Sequence, residues 1–156
     1  MRAVRLIVIF LALFACNGSN SRKVIIGRYS FDVPEGWSFT KFKGVDGYYG
    51  DINSKDGCSI RYGSSRYELT LPDSHNLEKY RITADSISEN FTRIIYIPKA
   101  SMGKMYLSAH NIDSTGDYGL ETPSIQFVMT ASNCDANNQK QVLAIFESVG
   151  QASKAN

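Results

Sequence analysis

The chain has 156 residues, with 17 basic and 15 acidic side chains, and this near balance does not favour a nucleic-acid-binding protein. Arg2 and Arg5 supply the basic excess, so the rest of the chain is formally neutral. The residues that follow the N-terminal apolar stretch, about 141 of them, suit one domain with a hydrophobic core.

The N-terminus has the pattern of a secretory signal. Arg2 and Arg5 precede an unbroken apolar run at positions 6–14, which is too short to span a bilayer as a mature helix. The segment Leu13-Phe14-Ala15-Cys16 resembles the bacterial lipobox. This resemblance implies that Cys16 takes a diacylglyceryl thioether, becomes the new N-terminus and is usually N-acylated, with palmitate among the expected acyl groups.

The chain is therefore divided into a signal peptide at 1–15, a polar flexible tether at 16–23, a single domain at 24–150 and a tail at 151–156. The expected partner of the anchor is a bacterial membrane. Asn17 follows the cysteine where an aspartate would signal retention in the inner membrane. The expected location is the outer membrane, facing the periplasm, in a host with two membranes.

The domain begins with strand patterns of period two. Alternation from Ile25 to Val33 predicts one half-buried strand with Gly27, Tyr29 and Phe31 on its apolar side. A turn at 34–36 then leads to Trp37, which we expect to be buried near the last helix. Strands at 48–53 and 58–62 are predicted to form a hairpin because Asp56-Gly57 between them tolerates positive φ.

The middle of the chain has weaker patterns. Positions 77–89 fit either a helix or strands around a turn, and we favour strand and loop. Positions 91–97, 105–110 and 125–131 are rich in β-forming residues or alternate between apolar and polar side chains. They predict three successive antiparallel strands.

The last element changes to a helical period, with four apolar residues on one face: Val142, Ile145, Phe146 and Val149. This helix is predicted to begin near Asn137 or Asn138, either of which can cap it, and to stop at Gly150. Strands come first and the one clear helix comes last. The order predicts an α+β fold in which the C-terminal helix packs on an antiparallel β-sheet.

Two segments resemble the PsbP/Mog1-like family. FDVPEGW at 31–37 looks like that family's first strand and Pro-x-Gly-Trp corner, and QVLAIFESV at 141–149 looks like its closing helix. The resemblance implies an α/β/α sandwich. It also implies binding to other proteins, since members serve as assembly factors, photosystem subunits or small regulators, and it supplies no shared catalytic residues.

Cys58 and Cys134 are the two cysteines outside the anchor. An exported protein meets an oxidising compartment, which favours a disulfide between them. The alternative is a pair of unlinked cysteines that act as small buried hydrophobic residues. Both remain open, because the sequence does not give the short Cα separation that a bridge requires.

Tyrosine is the one residue type that suggests a binding surface. Tyr48, Tyr49, Tyr62 and Tyr67 lie in or beside one predicted hairpin, and they are the candidate interaction surface. Tyrosine suits interfaces because it buries a large area and keeps a polar tip. The ordinary preference of strands for tyrosine accounts for the same residues without an interface.

The sequence has no recognisable motif for catalysis, metal binding or cofactor binding. His75 and His110 lack the spacing of metal ligands and are expected at the surface. The segment at 51–57 departs from a calcium loop because Lys55 occupies a ligand position. The glycines at 44–50 do not form a phosphate loop, and neither Gly-x-Ser-x-Gly nor Ser-x-x-Lys occurs.

These observations predict a membrane-anchored lipoprotein whose domain is a non-catalytic protein-interaction or assembly module. Its expected partner is another exported protein, and no metal, cofactor or nucleic acid is expected. The alternatives are a small-ligand-binding lipoprotein and, less favoured, a hydrolase with an active site assembled from dispersed residues.

Overall fold

A computed structural model describes residues 20–45, 47–65, 71–72, 74–100, 103–111 and 125–152. The signal peptide, Cys16, Tyr67 and positions 153–156 lie outside these ranges, so what the sequence predicts for them stays a prediction. Within the described ranges, no helix is long and apolar enough to cross a membrane.

The described elements are mostly strands. In chain order they are β1 (Ser21–Ile26), β2 (Tyr29–Pro34), β3 (Ser38–Phe39), β4 (Phe42–Lys43), β5 (Gly47–Asn53), β6 (Ser59–Ser65), a 3₁₀ helix (Ser74–Lys79), β7 (Tyr80–Ser88), β8 (Phe91–Pro98), β9 (Met105–Asn111), β10 (Ile125–Ser132), α1 (Ala136–Ser148) and β11 (Gly150–Gln151). The segment at 77–89 therefore contains a strand, as predicted, after the end of a 3₁₀ helix.

The strands form two antiparallel sheets. A three-stranded sheet has the order β1-β2-β11, and an eight-stranded sheet has the order β3-β5-β6-β10-β9-β8-β7, with β4 also paired to β5. The three strands β8, β9 and β10 are neighbours in sequence and in the sheet, as predicted.

The prediction of one strand at 25–33 is wrong, because the segment is a hairpin. Gly27 adopts φ 58° and, with Arg28, turns the chain between β1 and β2. Because of this turn, the residues of β1 that face the core are the opposite set from those predicted. Val24 and Ile26 are buried, whereas Ile25, which the sequence placed on the apolar side, is 55% exposed.

The predicted fold class, α+β with an α/β/α sandwich, is also wrong. The described structure is 58% strand and has one α-helix, so it is a β-rich fold. The helix and the three-stranded sheet contribute to one core with the same face of the eight-stranded sheet. Asp32 N–H donates to Ser148 Oγ at 2.9 Å, so α1 ends beside the part of β2 that β11 leaves unpaired. A second helical layer is absent from the described residues.

Aromatic rings from both sheets form the centre of the core. Tyr29 stacks on Phe127 with ring centroids 4.8 Å apart, and Phe31 lies 5.8 Å from Phe127 and 6.0 Å from Tyr62. Trp37 is only 8% exposed, and its Nε1 donates to Gln141 Oε1 of α1 at 2.7 Å. The burial of Trp37 near the last helix is therefore confirmed.

The ends of α1 are fixed by Asp135 and Arg93, which were not predicted from the sequence. Asp135 caps the helix by accepting from Asn138 N–H at 2.7 Å, so neither Asn137 nor Asn138 is the cap. At the other end, the Arg93 guanidinium of β8 donates to the carbonyls of Glu147 and Val149. A cation at these free carbonyls stabilises the helix C-terminus and attaches it to the large sheet.

Cys58 and Cys134 form a disulfide in the structure, with their Cα atoms 4.5 Å apart. They meet because β6 and β10 are paired neighbours, with Ser59 opposite Ser132 at the ends of the two strands. Of the two alternatives that the sequence left open, the fold contains the bridge. It links the turn before β6 to the start of the segment that leads into α1.

Candidate interaction face

The eight-stranded sheet has one face in the core and one face that points away from it. Directly opposite residues in an antiparallel sheet share a face, so the strand register assigns each side chain to one side. Arg61, Thr130, Tyr106, Tyr96 and Ile82 form one row across five strands. We call this side the outer face, and its principal side chains are Phe42, Tyr49, Tyr80, Ile82, Ile94, Tyr96, Tyr106, Arg61, Val128 and Thr130.

A groove of about 420 Å³ lies on the outer face over β5, β6, β9 and β10. Gly63 and Val128 face each other across the β6–β10 pair, and Tyr49 is opposite Gly63 on β5. Because Gly63 has no side chain, the sheet surface is lowest there, between Tyr49 on one side and Tyr106 on the other. The groove is therefore open, with an apolar floor and aromatic walls.

Three tyrosines continue the aromatic surface from the groove towards β7. The Tyr80 ring packs edge-on against Tyr106, with centroids 5.8 Å apart, and against Tyr96 at 6.4 Å. Burial, together with the neighbouring Tyr80 hydroxyl, raises the pKa of Tyr106. These rings hold one another in place, so the surface is preorganised and loses little side-chain freedom on binding.

Two cations border the groove. The Arg61 guanidinium donates to Asp51 Oδ1 at 3.1 Å, and its side chain is 83% exposed. Such a pair contributes little to stability, so Arg61 remains available to another carboxylate. Lys104, which precedes β9, is exposed at the same groove. The groove therefore joins apolar and aromatic contact area to cationic donors.

A polar cluster lies at the other end of β9 and β10. Gln126 Nε2 donates to Ser108 Oγ at 3.1 Å, and Ser108 Oγ is 2.9 Å from His110 Nε2. His110 is half-buried instead of solvated as predicted, and burial lowers its pKa. The serine–histidine pair has the separation of a nucleophile and its base, but Ser108 is only 1% exposed, so a substrate does not reach its Oγ in this arrangement.

The four tyrosines chosen from the sequence do not share one surface. Tyr49 lies on the outer face, whereas Tyr48 is half-buried on the opposite side with Lys41 Nζ 4.8 Å from its ring centroid. Tyr62 is buried in the core, where its hydroxyl donates to Thr40 O at 2.7 Å. Burial, with a smaller effect of Asp51, raises the pKa of Tyr62 to about 12. The Tyr62 side chain is therefore committed to the core.

Tyr80, Tyr96 and Tyr106 were not among the site residues predicted from the sequence. Tyr96 and Tyr106 alternate with core residues along their strands, for example Tyr106 between Met105 and Leu107. That alternation was a usable signal on β9. β7 has no buried residue, so this signal is absent around Tyr80, and the segment fits a helix as well as a strand.

The described residues contain no cluster of three or more potential metal-ligating side chains. The sequence matches no protein-family model, and no curated protein matches it at a significant level.

Proposed function

We propose that this protein is a membrane-anchored lipoprotein whose domain binds another exported protein through the outer face of its large sheet. The main support for this proposal is that the outer face presents aromatic and aliphatic side chains that no described element covers. Phe42, Tyr49 and Ile82 are exposed there, although the fold buries comparable side chains on the opposite face. Large apolar area rimmed by polar residues is typical of protein-binding surfaces.

The chemistry of the outer face favours a partner with apolar side chains and carboxylates. Tyrosines contribute large contact area at low entropic cost, and their hydroxyls remain available for hydrogen bonds. Arg61 and Lys104 would pair with acidic residues at the rim of the contact. A non-catalytic role is supported by the burial of Ser108, whose Oγ lies 2.9 Å from His110 Nε2.

Site-specific photocrosslinking in cells tests the proposal. We expect p-benzoylphenylalanine in place of Tyr49 or Tyr106 to give one discrete adduct with an exported protein. Ile25 is the control position, because it is 55% exposed, more than the 37% of Tyr49, but lies on β1 in the other layer. Adding Lys104→Glu should reduce the adduct severalfold, since it replaces a cation at the groove with an anion.

Equal adducts from Tyr49 and Ile25 would contradict an interface specific to the outer face. An adduct from Ile25 alone would place the contact on the hairpin layer. The folded state of each variant is checked by the far-UV spectrum of the purified protein.

The groove supports one second candidate, a small-ligand-binding lipoprotein. Its volume of about 420 Å³ is within the range of small-molecule sites, and the two cations at its border favour an anionic ligand. Native mass spectrometry of the purified protein distinguishes the two functions. A bound small molecule that is lost in Arg61→Gln, without crosslinks to a protein, would favour this candidate.

A further inference from the structure

The two edges of the eight-stranded sheet differ in length. One edge is formed by β3 and β4, with two residues each, and the other by β7, with nine residues. Natural sheets protect their edges with short strands, Pro, Lys or bulges, because unpaired backbone groups accept another strand. β7 has no Pro and no Lys, and its register irregularity falls near its end, between Ser86 and Ser88. No described strand pairs with the free edge of its regular segment at 80–86.

We propose that the 80–86 segment of β7 pairs antiparallel with the same segment of a second copy of this chain. The midpoint of the segment is Thr83. A two-fold axis through Thr83 places Arg81 of each copy opposite Asp85 of the other, and Ile82 opposite Ala84. The pairing is isologous, so it closes as a dimer and leaves no further edge of this kind.

The charges on β7 specify this register. Arg81 is exposed and has no ion pair among the described residues. Asp85 accepts from Arg93 through Oδ2 at 2.8 Å, which leaves Oδ1 for a second cation, and its side chain is 44% exposed. Moving the axis to Ala84 would place Arg81 opposite Ile87 and lose both ion pairs. Opposite charges directly across a strand pair stabilise it.

The pairing also reduces apolar exposure on the outer face. Ile82 is 46% exposed at the sheet edge, and in the dimer it contacts Ala84 of the second copy. The axis is perpendicular to the sheet, so the outer faces of the two copies lie on one side and the β1–β2 hairpins on the other. Both copies of Asn20, the first described residue, then leave the dimer on the same side. If Cys16 carries the proposed anchor, both anchors reach one membrane.

Cysteine crosslinking of the full-length, membrane-expressed protein tests the dimer and its register. Two copies of Thr83→Cys would have Cα atoms about 4.5–5.5 Å apart, which permits a disulfide. Two copies of Ile82→Cys would be separated by about 8 Å, too far for a bridge. We expect Thr83→Cys to give a dimer as the main species on a non-reducing gel, and Ile82→Cys or Ala84→Cys alone to give little. Co-expression of the Ile82→Cys and Ala84→Cys chains should restore the crosslinked dimer.

A charge reversal at position 81 tests the proposed register separately. Arg81→Glu in the Thr83→Cys chain should reduce the crosslinked dimer severalfold, because it places Glu opposite Asp85 twice. Lys23→Glu, an exposed charge change on β1, should leave it unchanged. Light scattering of the detergent-solubilised wild-type protein gives the mass without any substitution, and we expect a dimer.

A monomeric wild-type protein, or a Thr83→Cys chain that crosslinks no better than Ile82→Cys, would overturn the proposal. So would a Thr83→Cys adduct with a different protein, or an Arg81→Glu variant that dimerises normally. None of these results bears on crosslinks from Tyr49, which lies on β5 at the far side of the outer face, so this proposal and the proposed function fail separately.

Discussion

His110 shows how the position of one side chain on a sheet sets its chemistry. It alternates with the core residues Leu107 and Ala109 of β9 but is half-buried on the outer face beside Ser108 and Gln126. Desolvation disfavours the imidazolium, so the pKa of His110 falls below its ordinary value of 6.5. The imidazole is therefore neutral at pH 7 in the folded chain.

This shift predicts a loss of stability in mild acid. The unfolded chain takes up the proton at a higher pH than the folded chain, so the stabilisation is complete above pH 6.5 and is lost as pH falls through the lowered pKa. We expect the urea concentration at the unfolding midpoint to decrease when the pH is lowered from about 7.5 to about 5. The decrease should be smaller in His110→Gln than in wild type. His75→Gln is the control. If both variants reduce the pH dependence of the midpoint equally, His110 is not its cause.

Tyr62 and Gly50 show that a residue's role depends on its opposite neighbour. They are directly opposite on β6 and β5, and the Tyr62 ring passes over Gly50 to place its hydroxyl against Thr40 O. A Cβ at position 50 would collide with Thr40 O and with the Tyr62 hydroxyl. Gly50 is therefore needed for a close approach and not for a turn. From the sequence, Tyr62 was placed in the candidate interaction surface, and the close approach over Gly50 was not predicted.

The disulfide acts at the scale of elements, since it links the β5–β6 turn to the segment before α1. It closes a loop with a sequence separation of 76, so the chain-entropy model gives about 4 kcal/mol of stabilisation. We expect the Cys58→Ala/Cys134→Ala variant to lose about that amount in urea unfolding, with the same far-UV spectrum before unfolding. Intact mass under non-reducing conditions should show no free thiol pair in wild type. Two titratable thiols in the unreduced, purified protein would contradict the disulfide.

Elements at the start of the chain show where local pattern fails. The period-two alternation at 25–33 continues in register through Gly27, so it cannot distinguish one long strand from two strands joined by a turn. The difference lies in the φ of Gly27, which any glycine can adopt and which tertiary contacts select. Here the hairpin is selected because Val24, Ile26, Tyr29 and Phe31 then all enter the core.

At the scale of the whole molecule, the proposed lipid anchor determines where the domain works. One acyl chain holds a protein only marginally, whereas two or more hold it stably. We expect Cys16→Ser to abolish labelling by a radioactive acyl precursor and to move the protein from washed membranes to the soluble fraction. Cys58→Ala/Cys134→Ala, which keeps Cys16, should remain with the membranes. Retention of the Cys16→Ser variant on washed membranes would refute the lipobox interpretation.

The sequence by itself determined the elements whose signal is local. Alternation or β-forming composition located β5, β6, β8, β9 and β10, Asp56-Gly57 located one turn, and the helical period located α1 to within two residues. These predictions of element positions succeed because a strand or helix with one buried face must repeat its apolar residues at its own period.

Only the tertiary structure decided how those elements are layered. The pairing of β6 with β10 brings Cys58 to Cys134, and the position of β2 and α1 on one sheet face leaves Tyr49, Tyr106 and Ile82 on the other. These contacts join residues far apart in the chain, and one alternating strand fits either face of a sheet equally well. Which face is buried depends on the summed packing of all strands, and no local pattern contains that sum.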